Sequence, residues 1–332
     1  MNLIDVTQQF ATDEQCLAYL EAMRWPNGVR CPTCGDNRIS RVKRSSNVYS
    51  RKRQTKSGEK IVEHKQRKSF YQCLEPTCKQ QFSATSGTIF NDSHLPLHKW
   101  FMALAIVVDA KKGISANQLK EHLGIGSYRT AWYMAHRIRK AMEDEGGLLH
   151  GAVEIDETYV GGKAKRRFGR ANKTRSEKFD MVMGLRERKG RVKFVHIPDG
   201  KAQTIRKVIS KHVHPRTANV YTDSAAVYDF TFHPSLNSRR KTVNHTIQWI
   251  VPGTDIHTNT VESSFSLLKR GLIGSFHRVS IKHLHRYLSE FEFRWNIRKD
   301  ADRFSNTLRR MLGIPPMPYV ELIAVPKTSE PF

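Results

Sequence analysis

The 332-residue chain is 39% hydrophobic and longer than one average domain, so it can bury a sizeable core and carry smaller modules as well. It has 56 Lys and Arg against 31 Asp and Glu, a formal net charge of +25, which favours a polyanionic partner such as nucleic acid. No run approaches the roughly 20 apolar residues of a membrane span, and residues 1–12 lack a signal pattern. We therefore predict a cytoplasmic, nucleoid-associated protein without a membrane partner.

The N-terminal segment, residues 1–30, is predicted to contain a short helix. Thr12-Asp13-Glu14 is typical of a helix start, and Cys16 and Leu20 follow at helical spacing. We interpret Cys16 as a small buried hydrophobe of this helix.

Four further cysteines form two pairs, Cys31 with Cys34 and Cys73 with Cys78. Two such pairs can close four thiolates around one tetrahedral Zn²⁺, and a site with four protein ligands leaves no open position for chemistry. In a reducing compartment the pattern favours metal over disulfides. We predict a zinc ribbon over residues 31–92 that holds a structural Zn²⁺.

The insert between the cysteine pairs, Arg41 to Lys68, is strongly basic, with Glu59 and Glu63 its only acidic residues. One interpretation is a long two-stranded arm that touches DNA phosphates. A solvated, disordered loop explains the composition equally well.

A helical module is predicted over residues 93–147. Ile114 to Ser127 has the pattern of a helix, a turn at Gly124 and the start of a second helix, which is typical of a helix-turn-helix. The second helix could enter a major groove and present its basic side chains there, Arg129, Arg137 and Lys140. Ordinary helical packing produces the same spacing, so that alternative stays open.

Three carboxylates stand where two strands end and a helix begins. Asp156 lies in a β-branched run from Val153 to Gly162, where a buried acid requires compensation. Asp223 closes a second short strand pattern, and Glu262 stands at the start of a helical run. Oxygen ligands brought together in this way are typical of a site for Mg²⁺ or Mn²⁺.

From residue 148 to about residue 299 the predicted elements alternate in a mixed α/β order. The Asp156 strand precedes a hairpin around Lys189-Gly190, a helix from Ala202 to Val213, the Asp223 strand and the Glu262 helix. We interpret this as a mixed-sheet, ribonuclease-H-like domain. The prolines after Ile314 favour an extended C-terminal tail within residues 300–332.

A loop without acidic residues follows the Asp156 strand and contains seven basic side chains: Lys163, Lys165, Arg166, Arg167, Arg170, Lys173 and Arg175. It is well placed to hold DNA phosphates beside the metal site, with Lys165, Arg166 and Arg167 as candidates. A solvated surface is the alternative, because charge runs are often no more than that.

Glu262 has a second explanation as a helix-start residue. Asn259 and Glu262 are three apart, the spacing of a capping box. However, Glu262 and Lys269 are seven apart and share a helix face. We favour a catalytic role, with the carboxylate binding metal and the ammonium binding phosphate.

Several motifs together resemble the ISXO2-like group of bacterial insertion-sequence transposases. They include the two cysteine pairs, Gly87-Thr88-Ile89-Phe90 and the helix-turn-helix. In the α/β region they are Glu154 to Gly162, Tyr221-Thr222-Asp223, His257 to Glu262, and Lys269-Arg270-Gly271. The resemblance extends from about residue 10 to residue 300, and the long cysteine insert departs from it.

The resemblance implies an N-terminal zinc ribbon and a ribonuclease-H-like DDE domain. It implies that Asp156, Asp223 and Glu262 bind two Mg²⁺ ions, that Lys269 acts on DNA beside Arg270, and that Asn259 is a further candidate. It also implies double-stranded DNA as partner, both terminal repeats and target, and a homodimer or larger assembly.

We therefore expect a transposase that binds the terminal inverted repeats of its element and catalyses metal-dependent strand cleavage and strand transfer. Two alternatives stay open at this point. One is a DNA-binding regulator with an inactive catalytic domain, and the other is a structure-directed nuclease on the same fold.

Overall fold

The computed structural model describes residues 1–43, 48–55, 58–65, 69–143, 146–161 and 180–324. The chain forms two compact units. The smaller unit contains residues 4–101 and 308–318, and the larger contains residues 1–3, 102–307 and the described part of 319–332. None of the helices in these described ranges is long and apolar enough to cross a membrane.

The smaller unit begins with two helices and a three-stranded antiparallel sheet in the order β1-β4-β5. Thr12 caps the second helix, and its side chain and that of Gln15 form a reciprocal capping box, as expected for a helix that starts there. The elements are α1 Leu3–Gln9, α2 Asp13–Arg24, β1 Ile39–Lys43, β4 Ser69–Cys73 and β5 Gln81–Phe82. Cys16 is fully buried, which confirms its interpretation as a core residue.

Between β1 and β4 the backbone forms a two-stranded antiparallel ladder. Strand β2, Val48–Thr55, pairs with strand β3, Gly58–Lys65, from Val48 opposite Lys65 to Thr55 opposite Gly58. The predicted two-stranded arm is therefore confirmed, while its contact with DNA stays a prediction.

Three helices precede the large sheet: α3 Leu97–Asp109, α4 Ala116–His122 and α5 Tyr128–Met142. Ser115 and Gln118 form a capping box at the start of α4, and Gly124 between α4 and α5 has φ +56°, which glycine adopts without strain. The helix, glycine turn and helix predicted here are all present.

A five-stranded sheet forms the centre of the larger unit. Its strands are β6 Ala152–Val160, β7 Asp180–Glu187, β8 Val192–Ile197, β9 Asn219–Asp223 and β10 Arg240–Val243, in the order β10-β9-β6-β7-β8. The first three form an antiparallel meander, and α6, Ala202–His212, then crosses to β9, which is parallel to both β6 and β10. This is the ribonuclease-H-like topology predicted from the sequence.

Helices cover both faces of this sheet because its strands alternate apolar residues between them. Val153 and Ile155 face a core that includes residues of α6. Val160 faces the opposite core, which includes residues of two later helices, α8 Asn259–Gly271 and α9 Ile281–Asn296. A short helix, α7, spans Pro234–Asn237, and α8 continues into a π-helical turn over Leu272–Phe276.

The C-terminal tail differs from its prediction. Helix α10, Arg303–Gly313, is followed by a short helix α11, Tyr319–Ile323, rather than by an extended chain. The ring of Tyr319 contacts Tyr133 edge-on at 5.3 Å, and Leu322 is 1% exposed. Buried apolar contacts of this kind stabilise a short helix, whereas the preceding prolines had favoured an extended chain.

Candidate active site and zinc cluster

Asp156 and Asp223 lie side by side on neighbouring parallel strands. Glu154 of β6 is paired with Tyr221 of β9, so two further residues along the same register bring Asp156 next to Asp223. Side chains that are level on adjacent strands point to the same face of a sheet. Both carboxylates therefore point to the face covered by α8, at the end of β9.

Burial raises the pKa of Asp156 to about 7, and the negative charges of Asp223 and Glu262 act in the same direction. The backbone N–H of Glu157, which donates to Asp156 Oδ1 at 2.8 Å, and the charge of Lys269 oppose this rise in pKa. The four predicted side chains are thus within electrostatic reach of one another. A buried carboxyl group with two acidic neighbours is one that a cation would stabilise.

Glu262 reaches this group from the first turn of α8. Its Oε1 accepts a hydrogen bond from Thr258 Oγ1 at 3.0 Å and lies 3.3 Å from His245 Nε2. His245 Nε2 also lies 2.7 Å from Thr258 Oγ1. These contacts fix the orientation of one carboxylate oxygen. No sequence pattern indicated His245, which stands outside every motif.

Helix α8 itself is fixed by a buried carboxylate of β6. Glu154 is fully buried, and its Oε2 accepts hydrogen bonds from the backbone N–H groups of Thr260 and Val261 at 2.9 and 3.0 Å. These are N–H groups that a helix start leaves without a partner, and a negative charge at this end is favoured. Glu154 therefore anchors the helix that carries Glu262.

Arg188 compensates the buried charge of Glu154. Its Nε donates to Glu154 Oε1 at 2.8 Å, its Nη1 to Asp255 at 3.0 Å and its Nη2 to the backbone oxygen of His257 at 2.9 Å. The guanidinium also lies 3.7 Å from the centre of the Tyr221 ring. These charge-assisted hydrogen bonds from one planar guanidinium hold the chain segment that precedes α8 in place.

The position at which α8 begins excludes the capping-box explanation of Glu262. The N-cap of α8 is Thr258, so Glu262 is one position beyond the place a capping box requires. The side chain of His257 is oriented toward Glu154, with Nδ1 3.4 Å from Oε1, as a helix-flanking residue. Asn259 is the first residue of α8, and its participation stays a prediction.

Gly184 leaves no room for a side chain between the sheet and α8. It is paired with Asp156 across β7, and a Cβ atom built there would lie 2.6 Å from the Phe265 ring and 3.0 Å from Val261. Any side chain at this position would displace the helix. The glycine therefore helps to set the distance between Asp156 and α8.

A second acidic side chain lies behind Asp156 on the other face of the sheet. Burial raises the pKa of Glu157 to about 7, with Asp156 and Asp223 acting in the same direction, while the hydrogen bond from Tyr228 lowers it. The Tyr228 hydroxyl donates to Glu157 Oε1 at 2.5 Å. Glu157 therefore contributes to the negative field around Asp156 without facing α8.

The predicted DNA-binding side chains differ in their accessibility. Arg129 is exposed, and Lys140 is partly exposed and forms an ion pair with Glu143. Arg270 is exposed on α8. Their role on DNA stays a prediction, and Lys165, Arg166 and Arg167 lie outside the described residues.

The prediction that Arg137 presents its side chain to DNA does not agree with the structure. Arg137 is 3% exposed, and its guanidinium lies over the Tyr133 ring at 5.2 Å. The buried face of α5 is therefore wider than the sequence pattern indicated. An Arg can lie on such a face because its aliphatic stem can be buried while its planar guanidinium stacks on an aromatic ring.

The four paired cysteines converge in the smaller unit. The Sγ atoms of Cys31 and Cys78 are 3.7 Å apart, those of Cys34 and Cys73 are 3.6 Å apart, and all four lie within 4.8 Å of one another. Sulfurs bonded at about 2.3 Å to a tetrahedral Zn²⁺ would lie about 3.8 Å apart. The geometry fits a structural zinc ion.

The four thiols of the cluster differ in how readily they ionise: burial and the neighbouring thiols raise the pKa of Cys73, and the pKa of Cys78 is raised as well. Burial opposes ionisation of Cys31, but the backbone N–H groups of Cys34 and Thr33 lower the pKa of its thiol to about 7. Among the described residues, no other group of three or more potential ligands converges as closely as these cysteines. Asp156, Asp223 and Glu262 are spaced more widely than the sulfurs.

Comparison with known proteins identifies two domains in the chain. A family model described as the ISXO2-like transposase domain matches residues 148–296, and one described as the transposase zinc-ribbon domain matches residues 11–81. Together the two matches cover about two thirds of the chain. The chain therefore carries an ISXO2-like transposase domain, and a transposase zinc ribbon precedes it in the sequence.

One relative is an uncharacterized protein in transposable element ISH50 of Halobacterium salinarum. It is 28% identical over 300 residues, which cover 86% of this chain and 91% of the relative. Among solved structures, a simian T-cell lymphotropic virus intasome in complex with the PP2A regulatory subunit B56 gamma matches with 14% identity and a TM-score of 0.27. That match covers 65% of this chain and 73% of the other.

Proposed function

We propose that this chain binds the ends of its own transposable element and catalyses metal-dependent DNA strand cleavage and strand transfer. The observation that supports this most directly is the electrostatic coupling of Asp156 to Asp223, Glu262 and Lys269 on one face of the sheet. The three carboxylates come from two strands and one helix of a transposase domain.

The donor set fits Mg²⁺ or Mn²⁺, which prefer carboxylate oxygens. Asp156, Asp223 and Glu262 would hold the ions, and their wider spacing leaves room for more than one. Divalent cations bound there would stabilise the entering and leaving oxygens of a phosphodiester. Burial and the nearby carboxylates raise the pKa of Asp156 to about 7, and a bound cation would stabilise its charged form.

The remaining side chains position the reaction. Thr258 and His245 hold one oxygen of Glu262, so the other oxygen is available to a cation. Lys269 lies two turns along the same helix face and would bind a phosphate of the DNA strand. Glu154 and Arg188 keep the helix in place and do not touch the reacting atoms.

The partner is double-stranded DNA, because the net charge of +25 and the transposase family both favour it. Terminal repeats and target DNA would meet in one complex that contains two or more copies of the chain. The basic side chains of Lys165, Arg166 and Arg167, together with Arg129, Lys140 and Arg270, would contact its backbone.

The experiment uses a labelled duplex that ends in the inverted repeat flanking the gene, incubated with the full-length, zinc-loaded protein either with Mg²⁺ or without any added divalent cation. We expect cleavage at the repeat end and joining to a second duplex with Mg²⁺ only. Asp156→Asn should abolish both reactions and leave binding to the duplex unchanged.

Asp92→Asn is the matched control. Asp92 is exposed, and its φ of +53° is one that Asn tolerates. This variant should cleave at the wild-type rate. Specific binding without cleavage under any metal would instead favour a regulator, and cleavage independent of the repeat would favour a structure-directed nuclease.

A further inference from the structure

A partly open cavity of about 200 Å³ lies in the larger unit, away from the carboxylates. Its lining comes from the end of α3, from α8, α9 and the start of α10, and includes Val108, Leu267 and Phe291 on the apolar side. Leu267 and Lys269 are two positions apart on α8, so they point about 200° away from each other. The cavity therefore opens on a different side of α8 from the proposed active site.

The polar lining is strongly positive. Four basic side chains line the cavity, Lys111, Arg294, Arg298 and Arg303, against the single carboxylate of Asp109. Asp109 already forms an ion pair with Arg303 at 2.8 Å. Lys111 and Arg298 are exposed and leave the cavity with an excess of positive charge.

The buried groups beside the cavity are short of acceptors. Arg294 is 7% exposed and forms an ion pair through Nη1 with Glu290, which also accepts from Arg139 at 2.5 Å. Within the part of the chain that is described, Arg294 Nε and Nη2 have no acceptor, and neither has Trp295 Nε1. All three unpaired atoms are hydrogen-bond donors, so the group missing here is an acceptor, and the basic lining of the cavity favours an anionic one.

Two guanidinium groups also lie against the ring of Trp295. The guanidinium carbon of Arg186 lies 4.4 Å from its ring centre and that of Arg298 lies 4.3 Å from it. Arg186 Nε is a further buried donor with no acceptor among the described residues. Because guanidinium groups contact the ring, the site is suited to an oxyanion rather than to a stacked base.

We propose that this cavity binds a phosphate group, separate from the one that would be cut. Arg298 and Lys111 would contact its oxygens at the mouth, and the buried Arg294 would supply the positive field behind them. The volume exceeds the roughly 10–15 Å³ that a water needs, so an oxyanion can enter. The phosphate comes either from a DNA backbone or from a free phosphate compound.

The test measures DNA binding and does not depend on cleavage, so failure of the proposed chemistry would not affect it. The affinity for a duplex is measured at several NaCl concentrations for wild type, Arg298→Gln, Lys111→Gln and Arg216→Gln. Arg216 is an exposed control that precedes β9, at the end of that strand opposite Asp223. A lost phosphate contact lowers the slope of log K against log salt by about 0.9.

We expect that decrease in Arg298→Gln and Lys111→Gln and not in Arg216→Gln, which would assign the cavity to a DNA phosphate. If the slopes are unchanged, inorganic phosphate at constant ionic strength should raise the melting temperature of wild type and not of Arg298→Gln, which would assign it to a free phosphate. No effect in either measurement, or an equal decrease in Arg216→Gln, would overturn the proposal.

Discussion

The carboxylate of Glu154 accepts a hydrogen bond from the backbone N–H of Val261, the residue immediately before Glu262, at 3.0 Å. Glu154 and Asp156 lie on the same face of the same strand and have different tasks. Glu154 fixes the N-terminal end of α8, whereas Asp156 lies beside Asp223 and near Glu262, which α8 carries. The position of the third carboxylate is thus determined from within the strand that carries the first.

Removing this anchor should affect both stability and activity. Glu154→Ala leaves the first N–H groups of α8 and the guanidinium of Arg188 without their buried acceptor, which costs about 3 kcal/mol of unfolding free energy. Glu154→Gln retains one acceptor oxygen and should cost less.

Both variants should lower strand cleavage by about tenfold to a hundredfold, because Glu262 shifts. Urea unfolding measures the first effect, and a Mg²⁺ titration of the cleavage rate measures the second. The titration midpoint should move to higher Mg²⁺, which a purely structural role would not cause. A Glu154→Ala protein with wild-type stability and midpoint would refute the anchoring role.

Gly184→Ala tests how closely α8 must approach the sheet. The new Cβ would meet the ring of Phe265 at 2.6 Å, so we expect a loss of about 1–3 kcal/mol and a lower cleavage rate. Gly274→Ala is the control, because a Cβ there has no atom within 4 Å. Equal stability of the two variants in thermal unfolding would contradict the close approach.

The acidic group should make the stability of the protein without bound Mg²⁺ depend on pH. The pKa of Asp156 and that of Glu157 are both raised to about 7, so between about pH 4 and pH 7 the folded state keeps protons that the unfolded state has released. Stability should therefore fall as the pH rises, by up to about 1.4 kcal/mol per pH unit for each carboxyl group.

Urea unfolding of the zinc-loaded protein without added Mg²⁺, from pH 4.5 to pH 7.5, measures this slope; a chelator is left out because it would also remove the structural zinc. Asp156→Asn should reduce it, and Mg²⁺ should stabilise wild type most at the upper end, where the carboxylates are ionised. A wild-type slope that Asp156→Asn leaves unchanged would show that the acidic group is not its source.

The zinc cluster makes a prediction about thiol reactivity. In the zinc-loaded protein none of the four clustered thiols should react quickly with a disulfide reagent, and one zinc ion per chain should be found by elemental analysis. After chelation the four should react because the ribbon loses its structure with the zinc, while Cys16 should stay slow, because it is fully buried in a helix core and burial raises the pKa of its thiol to about 12. Full zinc content in Cys31→Ser would contradict the assignment.

Much of this arrangement could be predicted because it depends on local pattern. The β-branched run around Asp156, the hairpin turn at Lys189 and the spacing of the paired cysteines each specify an element or a ligand set from neighbouring residues. The alternation of apolar residues then fixes which face Asp156 occupies.

What could not be predicted depends on contacts between distant segments. Glu154 caps a helix that begins more than a hundred residues later, and although the alternation of apolar residues separates its face from that of Glu157, no local pattern indicates that a helix start meets it. His245 reaches Glu262 from a loop without a motif. Arg137 followed a helical polar face and is buried nonetheless, because stacking on Tyr133 overrides its intrinsic preference for water.

The central claim is that Asp156, Asp223 and Glu262 form one metal site. Calorimetric titration of zinc-loaded protein with Mn²⁺ tests it without DNA. We expect Asp156→Asn, Asp223→Asn and Glu262→Gln each to weaken Mn²⁺ binding by about tenfold or more, and Asp92→Asn to bind as wild type. Wild-type Mn²⁺ affinity in Glu262→Gln would contradict the claim, because the third carboxylate would then lie outside the site.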